Sequence, residues 1–93
     1  MVDHPPFNLG VVQWALLVRV VLHPQPHTVR GLAAELGVSK PVSTRALDTL
    51  SALGFLKRVR DETDKRNVLI QRTVKGAVFL TDFAEMMEKA NIK

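Results

Sequence analysis

The hydrophobic positions divide the chain into a short arm at residues 1–8 and a single domain at residues 9–93. The first segment of the domain, residues 9–22, is apolar at nearly every position, which predicts a helix that is buried on more than one side. Asn8 stands before this segment as a candidate N-cap, and two prolines follow the segment and end the helix. In a chain this small, a helix that is apolar all round indicates that a second subunit covers part of it.

Residues 28–53 predict two further helices with a tight turn between them. Thr28 is placed to cap a helix over residues 29–36, and Ser39 is placed to cap a helix over residues 40–53. A glycine follows each helix, and the tripeptide Gly-Val-Ser joins them. Two helices joined by a three-residue turn that contains glycine are typical of a helix-turn-helix motif.

Residues 55–73 predict a hairpin, and a last helix follows it. Two runs rich in strand-forming residues, 55–60 and 67–73, flank a polar stretch that favours a turn. Thr73 is placed to cap the last helix, over residues 74–91, which carries a wide apolar stripe. This order of elements predicts a mainly α fold with a small β-hairpin, namely a winged helix-turn-helix with a three-helix core, a wing and a C-terminal helix.

The third predicted helix separates apolar from polar side chains on a helical wheel. Its apolar side, which we expect to pack on the first two helices, consists of Val42, Ala46, Leu50 and Leu53, with Leu47 at the margin. Its opposite side is short, polar and cationic, and consists of Lys40, Pro41, Thr44 and Asp48, flanked by Arg45 and Ser51. A helix that enters a major groove needs such a side, because it must hydrogen-bond base edges and attract phosphates.

Several of these side chains also have an ordinary structural interpretation. Lys40 opposes the helix dipole in the first turn, which suits a nearby phosphate, but it could equally be a tolerated surface lysine. Arg45 could bind guanine or a phosphate, or it could pair with Asp48 one turn later. Ser43 could hydrogen-bond a base, or it could be a small residue at the buried edge.

The tip of the predicted hairpin combines both signs of charge, in Asp61, Asp64, Lys65 and Arg66. Arg66 could insert into a minor groove, with Asp64 and Asp61 bracing the loop and Asp64 orienting Arg66 by a salt bridge. The alternative is a solvated turn of mixed charge. Three cations on the first strand could touch phosphates or form a solvated face, and these are Lys57, Arg58 and Arg60.

Composition narrows the classes of function. The net charge of +4 suits a polyanionic partner, and the absence of cysteine excludes disulfides and thiolate metal sites. The three histidines are His4, His23 and His27. They lack ligand spacing and are expected to be loop residues near prolines, so no metal or cofactor is predicted. We find no catalytic constellation and predict no enzyme. The apolar first segment contains Arg19, follows no basic residue and is too short to span a bilayer, so we expect a cytoplasmic, nucleoid-associated protein with no membrane partner.

Two groups of residues resemble the DNA-reading part of MarR-type winged-helix regulators. The first group comprises Leu32–Pro41, Thr44–Asp48 with Leu50, and Leu53–Leu56. The second group comprises Asp61-x-x-Asp64-x-Arg66 and Thr73-x-x-Gly76, whose separation is the family's most specific mark. The resemblance covers about residues 9–80.

The resemblance implies a bacterial transcription factor that binds palindromic operators as a dimer, with the third helix in the major groove and the wing arginine in the minor groove. The resemblance implies that Ser39, Lys40, Pro41, Thr44 and Arg45 face the groove and that Arg66 is the wing contact. With Thr28, Ser43 and Lys65 added, these are the residues that we expect at DNA. Full-length family members also have an additional N-terminal helix and long C-terminal helices that build the dimer. We therefore expect a reduced homodimer interface, formed by Val11, Trp14, Val18, Phe79, Phe83, Met86 and Met87, and no small-molecule effector.

Two classes of function remain open from the sequence. One is a sequence-specific regulator that binds double-stranded DNA. The other is a winged-helix module for protein–protein interaction, since a fold alone does not fix function. An interaction module would expose apolar residues on the third helix, whereas this helix is expected to expose Lys40, Thr44 and Arg45.

Overall fold

Four helices and three strands follow one another in the computed structural model, which describes residues 9–90. They are α1 (Val11–Leu22), β1 (His27–Thr28), α2 (Val29–Leu36), α3 (Lys40–Ala52), β2 (Leu56–Arg60), β3 (Val68–Arg72) and α4 (Val74–Ala90). The hairpin formed by β2 and β3, residues 56–72, is called the wing below. The predicted fold class is confirmed, while the arm at residues 1–8 and the predicted helix end at residue 91 lie outside the described residues.

The first helix begins two residues later than Asn8 would require. Gly10 is its N-cap, and the Gly10 backbone N–H donates to Oε1 of Gln13 at 2.9 Å. A glutamine at the third helical position can satisfy the cap in this way, as in a capping box. The prediction that Asn8 caps α1 is therefore wrong.

The predicted caps of the helix-turn-helix are confirmed. Thr28 Oγ1 accepts the Gly31 N–H at 2.9 Å, and Ser39 Oγ accepts the Val42 N–H at 3.3 Å. Gly37 ends α2 with φ of 68°, a left-handed conformation that residues with a Cβ adopt only at a cost. These local interactions fix where the motif turns.

The hydrophobic core lies between α1, α3, the sheet and α4, and its fully buried members include Leu16, Leu17, Leu47, Leu50, Leu56 and Ile70. The buried side of α3 differs from the predicted one by about one residue position. It consists of Ser43, Ala46, Leu47 and Leu50, the i, i+3, i+4, i+7 positions of one helix face. Val42 is 43% exposed, and Leu47, which we predicted at the margin, is fully buried.

A short third strand was missed by the sequence analysis. The sheet has the order β1-β3-β2, all antiparallel, and His27 of β1 pairs with Ile70 of β3. The prediction that His27 lies in a loop is wrong, because its side chain is buried in β1 and its Nε2 lies 3.1 Å from the His23 carbonyl O. The segment between α1 and α2 is thus joined to the wing.

Thr73 and Gly76 join the start of α4 to the start of the wing. The Thr73 hydroxyl lies 2.7 Å and 3.0 Å from the carbonyl oxygens of Gly54 and Phe55, to which it donates, and it accepts the Gly76 N–H at 2.9 Å. A Cβ on Gly76 would lie 2.1 Å from the Phe55 carbonyl O. The spacing Thr73-x-x-Gly76 is therefore required by close backbone packing.

Aromatic rings join α4 to the rest of the domain. The centroid of Trp14 lies 4.3 Å from that of Phe83 and 5.6 Å from that of Phe79, and Phe79 stacks on Phe55 at 4.3 Å. Phe79 is only 7% exposed, because it completes the chain's own core. The prediction that Phe79 belongs to a dimer interface is therefore wrong.

Within residues 9–90, no helix has the length and apolar character needed to cross a bilayer.

Candidate nucleic-acid interface

A cleft of about 280 Å³ separates the wing from the first turns of α2 and α3. Its walls consist of Thr28, Val29, Arg30, Lys40, Thr44, Arg58, Arg66, Asn67 and Val68. Four of these residues are cationic and none is acidic. We call this feature the cationic cleft, and its charge and hydroxyl groups suit a phosphate-bearing partner.

The outer side of α3 continues the surface beyond the cleft. Lys40, Pro41, Thr44, Arg45 and Asp48 line a shallow depression there, and all five are exposed. The side chain of Arg45 makes no hydrogen bond or ion pair within residues 9–90, so its guanidinium is available to a partner. The structure thus leaves this side of α3 open, as a helix that reads a groove requires.

Ser43 does not belong to this surface. It is completely buried, and its Oγ has no hydrogen-bond partner among the described residues. The buried face of α3 is rotated by about one residue from the face that the helical wheel predicted, and this rotation places Ser43 on the inner side of the helix. The prediction that Ser43 contacts DNA is therefore wrong.

Asp48, the acidic residue on the outer side of α3, is paired across elements. Its Oδ1 accepts a hydrogen bond from Nη2 of Arg58, and the same Nη2 lies 3.3 Å from the carbonyl O of Thr44. The pairing of Asp48 with Arg45, which we had considered, is not formed. Arg58 therefore offsets the one carboxylate on this side of α3.

The wing tip is held by carboxylates that accept backbone hydrogen bonds. Asp64 Oδ1 accepts the backbone N–H of Arg66 at 3.1 Å and its Nε at 3.2 Å. These hydrogen bonds from the Arg66 side chain and backbone lower the pKa of Asp64 below its ordinary value. Asp61 Oδ1 accepts the Thr63 N–H at 2.9 Å, which closes the other side of the turn. The structure thus places both aspartates in the bracing positions expected of them.

Arg66 remains open to a partner although it is held. Its side chain is 88% exposed, and it faces the cationic cleft together with Lys40 and Arg58. Lys65 is exposed at the outer side of the wing, beside Arg60. The other predicted residues, Thr28 and Ser39, serve as helix caps at the base of the same surface.

Sequence reasoning missed Arg30 and undervalued Arg58. Arg30 lies in the first turn of α2 and lines the cleft opposite Arg66. A cation in the first turn of a helix opposes the dipole, and this signal, which we used for Lys40, also applied to Arg30. Arg58 was grouped with its strand neighbours because sequence alone does not show that it faces α3.

The candidate dimer residues are divided by the fold. Val11 is 85% exposed, and Met86 and Met87 are 42% and 46% exposed. Val18, Trp14 and Phe83 are half-buried.

Among the described residues, no three His, Asp or Glu side chains are grouped as a metal site would need.

A comparison with models of known protein families identifies the family of the chain. A model of the MarR family matches residues 7–67, which include α1, the helix-turn-helix and most of the wing. The chain belongs to the MarR family. The cationic cleft and the open side of α3 are therefore features of a MarR-family winged helix.

Solved structures of MarR-type regulators share the fold. The transcriptional regulator BldR from Sulfolobus solfataricus is 28% identical, with a TM-score of 0.77 over 90% of this chain and 59% of that one. The heme sensor protein PefR from Streptococcus agalactiae, solved in complex with heme, is 26% identical, with a TM-score of 0.81 over 90% and 58%. MarR itself is 27% identical, with a TM-score of 0.78 over 88% and 59%.

The chain spans about three fifths of the length of these structures. A comparison with curated protein sequences found no match.

Proposed function

We propose that this MarR-family chain is a sequence-specific transcriptional regulator that binds double-stranded DNA and acts without catalysis. The observation that carries the proposal is the cationic cleft between α3 and the wing, whose lining includes four cations, Arg30, Lys40, Arg58 and Arg66, and no acidic residue. Polyanion binding relies on such a cluster, because each neutralised phosphate releases counterions from the duplex.

The shape of this surface supports a two-groove mode of binding. The outer side of α3, a helix of 13 residues, is exposed and carries polar and cationic side chains, and it suits a major groove. The wing projects beside it with an open arginine, and it suits the adjacent minor groove. One phosphodiester strand separates those two grooves, and in this mode it passes through the cationic cleft.

Individual roles follow from this mode. Arg45 and Thr44 contact base edges, and Lys40 contacts a phosphate at the start of α3. Arg66 enters the minor groove. The remaining contacts to the backbone come from the margins of the surface, at Thr28, Ser39, Pro41 and Lys65.

We propose further that two copies bind a palindromic operator. Several apolar side chains are exposed on α1 and α4, and among them Val11, Met86 and Met87 support a contact between copies, together with the half-buried Val18, Trp14 and Phe83. Dimeric helix-turn-helix proteins with a two-fold axis read two half-sites about one helical turn, or a multiple of it, apart. Sedimentation analysis of the free chain and of its DNA complex tests this part of the proposal.

The absence of a small-molecule effector stays a prediction. PefR is a heme sensor in complex with heme, so a relative of similar fold does hold a ligand. Absorption spectroscopy of the chain titrated with heme would reveal such binding here, and an unchanged spectrum would agree with the prediction.

The test of the proposed function is selection of bound duplexes from a random library, followed by affinity measurement at several salt concentrations. We expect one enriched palindrome, a Kd at least about 1000-fold lower than that for random duplex, and a steep salt slope. Arg45→Ala should weaken binding to the selected site by about 5- to 150-fold, whereas Lys89→Ala, at the far end of α4, should leave it unchanged. Failure to enrich any sequence, together with full activity of Arg45→Ala, would favour the protein-interaction module instead.

A further inference from the structure

Arg58 links the wing to α3. Its Nη2 donates to the carbonyl O of Thr44 and to Oδ1 of Asp48, which lie one turn apart on α3, while Arg58 itself lies in β2. Within residues 9–90, these are the side-chain hydrogen bonds that join α3 to the wing. The Arg58–Asp48 contact therefore connects the two elements that are proposed to bind DNA.

Apolar packing fixes only the base of the wing. Leu56 is 2% exposed and belongs to the core, and Ile70, opposite Arg58 on β3, is fully buried. Side chains alternate along a strand, so Arg58 lies on the same face of β2 as Leu56, one step further from the core. Beyond this level Val68 is already 40% exposed, so the core packing described for Leu56 and Ile70 does not extend to it.

The Arg58–Asp48 ion pair contributes little to the stability of the fold, because it is exposed to solvent. The side chains of Arg58 and Asp48 are 34% and 60% exposed, and exposed ion pairs contribute little to the free energy of folding. A geometric role explains the arrangement better, because one guanidinium nitrogen meets both a main-chain and a side-chain acceptor of α3. Such a contact restricts both the distance and the angle between β2 and the helix.

We propose that Arg58 and Asp48 are a positioning pair that sets the wing relative to α3, so that Arg66 reaches the minor groove when α3 occupies the major groove. The inference rests on the proposed function and deepens it. The spacing of the two grooves is a property of the duplex, so a protein that enters both benefits from a fixed spacing of its own contacts. Arg66 can then contact the minor groove only if the base of the wing is correctly oriented relative to α3.

If charge alone determined DNA affinity, removal of Asp48 would have the opposite effect to the one that a positioning role predicts. Asp48 is an anion on the surface proposed to face DNA. Its removal would reduce repulsion and free Arg58 for a phosphate, so binding would tighten. A positioning pair requires instead that loss of Asp48 weakens binding to the selected site, even though the net charge becomes more positive.

The experiment uses the full chain and the duplex selected by the wild type. Binding and hydroxyl-radical footprints are measured for Asp48→Ala, for Asp48→Asn, and for Arg66→Ala in the wild-type and Asp48→Ala backgrounds. Glu62→Ala, at the exposed wing tip, is the matched control for the loss of one negative charge. Thermal denaturation of each variant verifies that it is folded.

We expect Asp48→Ala to bind the selected duplex roughly tenfold more weakly and to lose protection of the flanking minor groove. Arg66→Ala should weaken the wild type about tenfold but the Asp48→Ala protein less than about twofold, because the wing contact is already lost there. Asp48→Asn keeps an oxygen acceptor for Arg58 and should retain the flanking protection.

Unchanged or tighter binding by Asp48→Ala would overturn the inference, as would intact flanking protection or an equal effect of Arg66→Ala in both backgrounds. A wild-type chain that binds no duplex would overturn the proposed function and this inference with it. The variant outcomes, in contrast, bear on the inference alone.

Discussion

The carboxylate of Asp64 accepts hydrogen bonds from both the main chain and the side chain of Arg66. The backbone N–H and Nε of Arg66 lie 3.1 Å and 3.2 Å from Oδ1, and Nη2 lies 3.4 Å from Oδ2. Because Asp64 itself is half-buried and Arg66 is exposed, the aspartate fixes the arginine without hiding it. The guanidinium is thus oriented before any partner arrives, which reduces the entropy lost on binding.

Removal of the Asp64 carboxylate should weaken DNA binding although it makes the chain more positive. We expect Asp64→Ala to raise the Kd for the selected duplex by roughly fivefold, because Arg66 loses its fixed orientation. Fluorescence anisotropy measures the change, and Glu62→Ala removes the same charge from the wing without removing the brace. Equal effects of the two substitutions would contradict a bracing role.

The lowered pKa of Asp64 predicts how the brace responds to acid. A carboxyl group whose pKa is lower in the folded state stabilises that state fully above its ordinary pKa, and this contribution is lost as the pH falls through the lowered value. In an NMR titration of the carboxyl carbons, Asp64 should titrate below an ordinary aspartate. Arg66→Ala should move the Asp64 midpoint upward, and an unmoved midpoint would show that Arg66 is not the cause.

Arg30 should contribute to affinity without contributing to sequence preference. Since it lines the cationic cleft and lies at the start of α2, we expect it to neutralise a phosphate. Arg30→Ala should weaken binding to selected and random duplexes alike and reduce the salt slope by about 1. Lys89→Ala is the control at a distance from the cleft, and a loss confined to the selected duplex would argue for base contact instead.

The buried hydroxyl of Ser43 should be dispensable for DNA binding. It has no hydrogen-bond partner among the described residues, and a buried polar group without a partner destabilises the folded state. Ser43→Ala should therefore raise stability by about 1 kcal/mol, or ~5 °C in Tm, and leave the Kd unchanged. Reduced DNA affinity at unaltered Tm would restore the role that the sequence suggested.

Two glycines should respond very differently to alanine. A Cβ on Gly76 would overlap the Phe55 carbonyl O, whereas a Cβ on Gly37 meets nothing within 4 Å and is disfavoured only by its φ of 68°. We expect Gly76→Ala to destabilise the fold by about 3 kcal/mol or more and Gly37→Ala by about 1 kcal/mol. Chemical denaturation of both variants measures the two values, and a tolerated alanine at position 76 would refute the close packing described here.

Features fixed by neighbouring residues were predictable from the sequence. The caps at Thr28, Ser39 and Thr73 and the left-handed turn at Gly37 each depend on contacts within about three residues. Turn chemistry also placed Asp64 beside Arg66 correctly, since their side chains are two positions apart.

Features fixed by distant contacts were not predictable in the same way. The strand at His27 is two residues long, and its partner, Ile70, comes much later in the chain, so no local pattern marks it. The sequence offered Asp48 a partner three residues away, but tertiary packing brings Arg58 to it instead. A helical wheel likewise cannot fix the rotation of α3 to within one residue, which decided the burial of Ser43.

Trp14 is the chain's one tryptophan, and its ring stacks on Phe79 and packs at a tilt against Phe83, both in α4. Its fluorescence therefore comes from the junction between α1 and α4, and Trp14 is not among the residues that line the cationic cleft. Undocking of α4 would expose the indole to water and shift its emission to longer wavelength, while a rearrangement limited to the wing would leave the spectrum as it is. The molecule thus carries a built-in optical reporter that can separate a change in its C-terminal helix from an event confined to the wing.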